Sequence, residues 1–90
     1  MEKEQTFEDI FSKFKNHDKK QIVIYNDDVN SFQWVIQSLI EVCEHDPFQA
    51  EQCANIIHYN GKCDVKSGSF EELKPLTLEL LNRQLSAKIE

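Results

Sequence analysis

The first apolar pattern along the chain is helical. The large apolar side chains of the first twenty residues recur at positions i, i+3, i+4 and i+7, a spacing that places them on one stripe of an amphipathic helix: Phe7, Ile10, Phe11 and Phe14. Thr6 and Asp9 have the spacing of a capping box, with Asp in place of the usual Glu. Residues 1–19 are therefore predicted to form an N-terminal extension, either flexible or an amphipathic helix. It could pack on its own domain or dock on a partner, and the sequence favours neither.

The pattern then changes to a continuous apolar run. Gln21 to Tyr25 is rich in β-branched residues, which predicts a buried strand. A loop over residues 26–30 leads into a helix, and the capping-box spacing of Asn30 and Gln33 predicts that Asn30 is its N-cap. The apolar positions of this helix predict an inward face of Val35, Ile36, Leu39, Ile40 and Cys43.

A second helix follows directly. Asp46 and Pro47 end the first helix and start the next, because Asp is a favoured N-cap and Pro is favoured at the first helical position. Gly61 supplies a C-terminal stop. The predicted buried face of this helix comprises Ala50, Cys53, Ala54 and Ile57.

The last third of the chain predicts a strand, a helix and a strand. A short strand near Lys62 to Lys66 is marked by Cys63 and Val65. Ser69 and Glu72 form a capping box ahead of a helix whose apolar positions are Leu73, Leu76, Leu80 and Leu81. Pro75 inside that helix predicts a kink or a restart.

Residues 85–90 alternate strictly between apolar and polar side chains, which is typical of a half-buried strand. The element order is therefore β-α-α-β-α-β. We expect one small α+β domain over residues 20–90, with a three-stranded, mainly antiparallel sheet packed against three helices.

Composition narrows the possible functions by exclusion. Ninety residues suffice for one domain, and 40% hydrophobic with 29% charged residues is typical of a globular protein. The net charge of −6 argues against a nucleic-acid partner. No apolar run approaches the length of a membrane span, and the first five residues do not resemble a signal peptide. Three cysteines without a CxxC pair indicate reduced thiols, so a cytoplasmic location is expected.

Three polar residues end the first strand. Asn and Asp at a strand end usually bond to the backbone of the turn, but Asn26, Asp27 and Asp28 exceed what one turn requires. They form a compact cluster of acceptors on a rigid support, which favours binding of a cation that carries N–H donors.

Catalysis and metal binding are weaker interpretations of the same residues. Asp27, Asp28 and His58 could in principle perform acid–base chemistry, but adjacent residues on an extended strand point to opposite faces, and two glycines cannot build a phosphate loop or a nucleophile elbow. A metal site could be drawn only from cysteines that the pattern places inward, together with histidines: Cys43, His45, Cys53 and His58. We therefore predict no enzyme activity, no metal and no cofactor.

Two segments together resemble the ClpS family. Residues 23–28, Val-Ile-Tyr-Asn-Asp-Asp, precede Val35 and then residues 58–62, His-Tyr-Asn-Gly-Lys, at matching separation. The resemblance covers about Gln21 to Lys62, and the final strand more loosely. It implies a bacterial cytoplasmic adaptor of the N-degron pathway. Such an adaptor binds proteins with a free, large hydrophobic N-terminal residue and delivers them to an AAA+ unfoldase of the ClpA or ClpC type, coupled to the ClpP peptidase.

The resemblance also implies site residues. The α-amino group of a substrate would be received by Asn26, Asp27 and His58, with Asp28 closing the cluster. The substrate side chain would enter an apolar pocket with Asn30 and Phe32 at its rim and with walls made by Val35, Ala54, Ile57 and Leu85.

Phe32 and Ala54 depart from the family pattern. Phe32 is bulkier than the Met common at its position, and Ala54 is smaller than the residue usual at its own, so the preferred N-terminal residue is left open. An interaction domain that keeps the fold but has lost or altered N-degron binding is the alternative function.

Overall fold

The computed structural model describes Thr6 and residues 19–90. Residues 19–90 form three strands and three helices, which we number in chain order as β1 (Lys20–Tyr25), α1 (Phe32–Cys43), α2 (Pro47–Asn60), β2 (Lys62–Gly68), α3 (Phe70–Asn82) and β3 (Ser86–Ile89). The predicted α+β class and element order are confirmed. The helix expected around Phe7 to Phe14 lies outside the described residues.

The sheet has the order β2-β1-β3, and both pairings are antiparallel. Ile22, Val23 and Ile24 of β1, the central strand, are all buried. Tyr25 pairs with Lys62 on one side and with Ser86 on the other. The residues after Tyr25 therefore leave the sheet between the start of β2 and the start of β3.

The start of α1 differs from the prediction. The N-cap is Ser31, whose hydroxyl accepts a hydrogen bond from the Trp34 N–H at 3.1 Å, so the assignment to Asn30 is wrong. Both residue types are good N-caps. The side-chain NH2 group of Asn30 instead donates to Asp27 and to the carbonyl of Gln84.

The two later helices begin as predicted. Asp46 caps α2 with Pro47 at the first helical position, and Gly61 ends that helix at φ 94°. The capping box of Ser69 and Glu72 is complete. Pro75 does not restart the helix, because α3 is continuous from Phe70 to Asn82. The hydrogen bond that Pro75 cannot donate would go to a carbonyl of an exposed turn, which water can satisfy.

One core unites the sheet with the helices. The predicted inward face of α2 is buried, as are Leu73 and Leu80 of α3. Leu81 is exposed, and Ile36, Ile40 and Leu76 are only partly buried against the core. Ser38 and Val42 are buried in α1 although the apolar spacing did not mark them. No helix among the described residues is long and apolar enough to cross a membrane.

Candidate functional site

Asp27 organises the loop that follows β1. One carboxylate oxygen, Oδ1, accepts the backbone N–H groups of Val29 and Asn30, both at 2.9 Å. The other, Oδ2, accepts from the hydroxyl of Ser86 at 3.0 Å, and the amide of Asn30 donates to both oxygens at 3.1 and 2.9 Å. Asp27 therefore fixes an Asx turn and ties it to β3.

These hydrogen bonds keep Asp27 ionised. Partial burial alone would raise the pKa of its carboxyl group. Backbone donation from Asn30 and Val29, followed by the side chains of Asn30 and Ser86, outweighs burial and holds the pKa below its ordinary value. The end of β1 thus carries a fixed negative charge at neutral pH.

The turn between α3 and β3 holds the same loop from the far end of the sequence. The amide of Asn30 donates to the carbonyl of Gln84 at 2.8 Å, and the indole N–H of Trp34 donates to the carbonyl of Arg83 at 3.0 Å. Gln84 has a left-handed backbone, φ 69°. This turn also contains Leu85, a predicted pocket residue. The same turn therefore holds the loop and carries one residue of the predicted pocket.

Arg83 strengthens this connection through its side chain. The guanidinium lies 2.7 Å from Glu41 and 3.1 Å from Glu79, and its centre lies 5.4 Å from the ring of Trp34. The hydrogen bond from Arg83 lowers the pKa of Glu41. Exposed ion pairs of this kind are individually weak, but here they join α1 to α3 around one aromatic ring.

The end of β1 also meets the end of α2. The backbone N–H of Asn26 donates to the carbonyl of Gly61 at 2.8 Å, and the N–H of Gly61 donates to the carbonyl of Ile57 at 3.0 Å. His58 lies in this last turn, exposed, with its ring edge-on to Tyr59 at 4.8 Å between centroids. The C-terminus of a helix carries partial negative charge. The structure thus directs this charge towards Asn26.

The predicted pocket walls belong to the buried core. Val35, Ala54, Ile57 and Leu85 are between 2% and 9% exposed, and they come from α1, α2 and the turn before β3. The predicted rim residues are more open, since Asn30 is partly buried and Phe32 is 40% exposed. The structure therefore places all four wall residues in one cluster and leaves Phe32 at the first helical position of α1, directly after the loop.

The supporting residues were not identified from the sequence. Trp34, Arg83, Gln84 and Ser86 carry no motif, and their partners lie 49 to 59 residues away in the chain. The pairing of β1 with β3 sets Ser86 opposite Tyr25 and so brings it beside the loop. Asp28 differs from Asp27 because it is exposed.

The cysteines and His45 named above for a metal site lie in surroundings that do not suit metal binding. Cys43 and Cys53 are buried, as their inward positions predicted, and Nε2 of His45 lies 2.6 Å from the carbonyl of Val65. Burial raises the pKa of the Cys43 thiol to about 11 and that of Cys63 to about 12, so neither is a thiolate at neutral pH. Among the residues described here, no group of three or more His, Cys, Asp or Glu side chains is arranged to hold a metal ion.

The arrangement can therefore receive a cation next to an apolar wall. Asp27 carries a negative charge at neutral pH, Asn26, Asp28 and His58 offer exposed acceptors, and the predicted wall residues belong to the buried core. A ligand with an N–H-rich cation attached to a hydrophobic group matches both parts.

Comparisons with known proteins identify a family and a fold. A family model described as "ATP-dependent Clp protease adaptor protein ClpS" matches residues 15–88, most of the chain. Among solved structures, the chain is similar to Agrobacterium tumefaciens ClpS2 bound to L-phenylalaninamide, with a TM-score of 0.75 and 16% identity over 81% of this chain and 95% of that one. At this identity the likeness shows the fold alone. The comparison with curated proteins gave no match.

Proposed function

The chain belongs to the ClpS family of Clp protease adaptor proteins, and from this membership we propose that it is an N-degron adaptor. It binds proteins whose first residue is large and hydrophobic and whose α-amino group is free. The observation that supports the proposal is the hydrogen bond from the Asn26 N–H to the Gly61 carbonyl, which joins the end of β1 to the end of α2, the two segments that carry the proposed acceptor residues.

The α-ammonium of a polypeptide is the cation that fits this loop. It has N–H donors and a full charge, and it occurs only at a chain end. Both oxygens of Asp27 already accept hydrogen bonds, so its main contribution is its charge and the shape of the loop. The side chains of Asn26, Asp28 and His58 are exposed and have acceptor atoms. Charge-assisted hydrogen bonds are roughly twice as strong as neutral ones.

The first side chain of the substrate would then lie against Val35, Ala54, Ile57 and Leu85. Burial of a Leu or Phe side chain contributes roughly 1.5–3 kcal/mol. L-Phenylalaninamide, the ligand of the Agrobacterium relative, has the same combination of a free α-amine and an apolar side chain. This likeness in ligand chemistry supports the proposal for the present chain.

Delivery to a protease completes the proposed function. The ClpS family is an adaptor family, not a catalytic one. The bound substrate would be handed to an AAA+ unfoldase of the ClpA or ClpC type, acting with ClpP in the bacterial cytoplasm. We propose no catalysis, cofactor, nucleic acid or membrane for this function.

Phe32 supports an alternative. Its large ring is exposed at the pocket rim, and the wall residues behind it are almost fully covered. An interaction domain with lost or altered N-degron binding would have the same fold with a closed entrance.

A peptide panel distinguishes the two functions. Fluorescence anisotropy would measure binding of labelled peptides that begin with Leu, Phe, Tyr, Trp, Met or Ala, each also in N-acetylated form. The adaptor binds the large hydrophobic free termini, and Asn26→Ala and His58→Ala each weaken binding without unfolding the domain. Asn82→Ala, at the exposed end of α3, is the matched control and should bind normally.

The same panel identifies an altered pocket. If only Phe32→Ala or Phe32→Met binds the peptides, the entrance is closed in the natural chain and the alternative function holds. If neither the natural chain nor these variants bind any free N-terminus, N-degron recognition is ruled out.

A further inference from the structure

The turn between α3 and β3 contacts both the rim and the wall of the predicted pocket. We call its three residues, Arg83, Gln84 and Leu85, the α3–β3 turn. The carbonyl of Arg83 accepts the indole N–H of Trp34 at 3.0 Å. The carbonyl of Gln84, part of the peptide unit that leads into Leu85, accepts the side-chain amide of Asn30 at 2.8 Å. Leu85 itself is 3% exposed and belongs to the core cluster.

Backbone hydrogen bonds make this turn a continuation of α3. The N–H of Gln84 donates to the carbonyl of Leu81 at 2.9 Å, and the N–H of Leu85 donates to the carbonyl of Leu80 at 3.0 Å. Leu80 is completely buried. The turn and the end of α3 therefore form one unit, and the position of Leu85 follows that of α3.

Arg83 and Trp34 join this unit to α1. The guanidinium of Arg83 lies 2.7 Å from Glu41 on α1 and 3.1 Å from Glu79 on α3, and its centre lies 5.4 Å from the Trp34 ring. The side chain of Arg83 is only 19% exposed, so solvent screens its contacts less than those of a fully exposed group. We call these contacts of Arg83 and Trp34 the clip. Its two points on α1, Trp34 and Glu41, are about two helical turns apart.

The clip lies next to two predicted wall residues. Val35 follows Trp34 on α1, and Leu85 comes two residues after Arg83 in the turn. Val35 and Leu85 belong to the same buried cluster, although one is supplied by α1 and the other by the α3–β3 turn. By joining these two elements, the clip sets the position of one wall residue relative to the other.

Selection by an apolar pocket is sensitive to such positions. One methylene group more or less in the ligand changes affinity by roughly 10–200-fold. A small displacement of one wall is therefore enough to change which side chain fits. A clip that is too weak to determine whether the domain folds can still decide which first residue is preferred.

We propose that Arg83 and Trp34 are positioning residues that set the width of the predicted pocket and so select among large hydrophobic first residues. This inference rests on the proposed N-degron function. In the natural chain the clip holds Leu85 close to Val35, which favours a side chain of moderate volume such as Leu. Without the clip the turn can move away from α1. The wider pocket then accommodates Trp better and makes fewer contacts with Leu.

Isothermal titration calorimetry on the full chain tests this selection. Two peptides that are identical except for a first residue of Leu or Trp are titrated into the natural chain, Arg83→Ala and Trp34→Phe. The second variant keeps an aromatic ring but lacks the N–H donor. Both substitutions should raise the affinity for the Trp peptide relative to the Leu peptide by about threefold or more, the lower end of the coupling measured between residues in contact.

Gln37→Ala is the matched control. Gln37 is exposed and donates to the same carboxylate, that of Glu41, at 3.2 Å, and its loss leaves the pair of Arg83 and Glu41 in place. This variant should keep the affinity ratio of the natural chain. Thermal unfolding gives the folded fraction of each variant. If Arg83→Ala does not fold, Arg83→Lys supplies the comparison, because it keeps the charge but not the planar fork that binds two carboxylates.

A purely structural role of the clip would lower both affinities by the same factor and leave their ratio unchanged. An unchanged or lowered ratio in either folded variant, while the natural chain binds both peptides, overturns this inference and leaves the proposed function intact. If the natural chain binds neither peptide, the proposed function fails and the inference fails with it.

Discussion

At the scale of single residues, Asp27 has both a structural and an electrostatic role. Its two oxygens accept donors from Val29, Asn30 and Ser86, so the charge that would attract a substrate also builds the loop. Asp28, next to it, is exposed. Adjacent carboxylates of the same sequence motif therefore have separable functions.

Substitutions of Asp27 and Asp28 should have different effects on stability. Asp27→Asn keeps the size of the side chain but removes the charge and an acceptor, so we expect it to lower the free energy of unfolding by about 1–3 kcal/mol. Asp28→Asn should leave stability within about 0.5 kcal/mol of wild type, as is usual for surface positions. Urea unfolding followed by circular dichroism measures both, and equal losses of stability would contradict the structural role of Asp27.

The same residue predicts an acid dependence of stability. Because the pKa of Asp27 is lowered from 3.8 in the folded state, its hydrogen bonds stabilise the fold above the unfolded pKa. This contribution is lost as the pH falls below about 4 and through the folded pKa. The difference in urea midpoint between wild type and Asp27→Asn should therefore shrink between pH 5 and pH 2. A difference that stays constant over this range would show that ionisation of Asp27 does not contribute.

At the scale of elements, Gly61 joins α2 to the loop. It has φ 94°, a conformation that side chains disfavour, and an added Cβ would meet no atom within 4 Å. Its carbonyl accepts the N–H of Asn26, so strain at this C-cap would be transmitted to the candidate site.

Gly61→Ala should therefore destabilise the domain by roughly 1–2 kcal/mol through backbone strain alone. Gly61→Asn should cost less, because Asn adopts the left-handed region more readily. Thermal unfolding of the two variants gives the comparison. If Gly61→Ala is as stable as the natural chain, the strained C-cap does not hold α2 against β1.

Local signals account for most of the elements. Asp46 with Pro47, Ser69 with Glu72, and Gly61 each act within a few residues of a helix end, so their effects could be predicted without knowledge of the fold. The start of α1 could not, because Asn30 and Ser31 are both good N-caps, and the contact of Asn30 with Gln84, 54 residues further along the chain, is not visible in the sequence. The restart that Pro75 could cause is not observed, because α3 runs without a break from Phe70 to Asn82.

The candidate site, too, has a part that the sequence predicts and a part that it does not. The Asn-Asp-Asp loop and His58 could be proposed from the chain alone, because each follows the end of a recognisable element. The bonds that position the loop, from Trp34 to Arg83 and from Ser86 to Asp27, cross most of the sequence. They depend on the pairing of β1 with β3, which no local pattern records. The roles of the loop and pocket residues in substrate binding stay predictions.

At the scale of the whole molecule, β1 runs from the N-terminal segment to the candidate site. Its last residue leads into the candidate substrate site, and its first residue is the attachment point of the N-terminal extension. Six residues of extended chain place these points about 17 Å apart. The candidate site is therefore built at one end of the sheet, where β1 ends and β2 and β3 begin.

Recognition of a free α-amino group is the central claim, and one NMR titration tests it most directly. L-Phenylalaninamide should shift the amide resonances of residues 26–30 and 57–61. N-acetyl-L-phenylalaninamide lacks the charge. Its affinity should be lower by a factor of roughly ten or more, as expected for the loss of a charge-assisted hydrogen bond. Equal affinity for the two compounds, or shifts confined to other parts of the domain, would contradict the account.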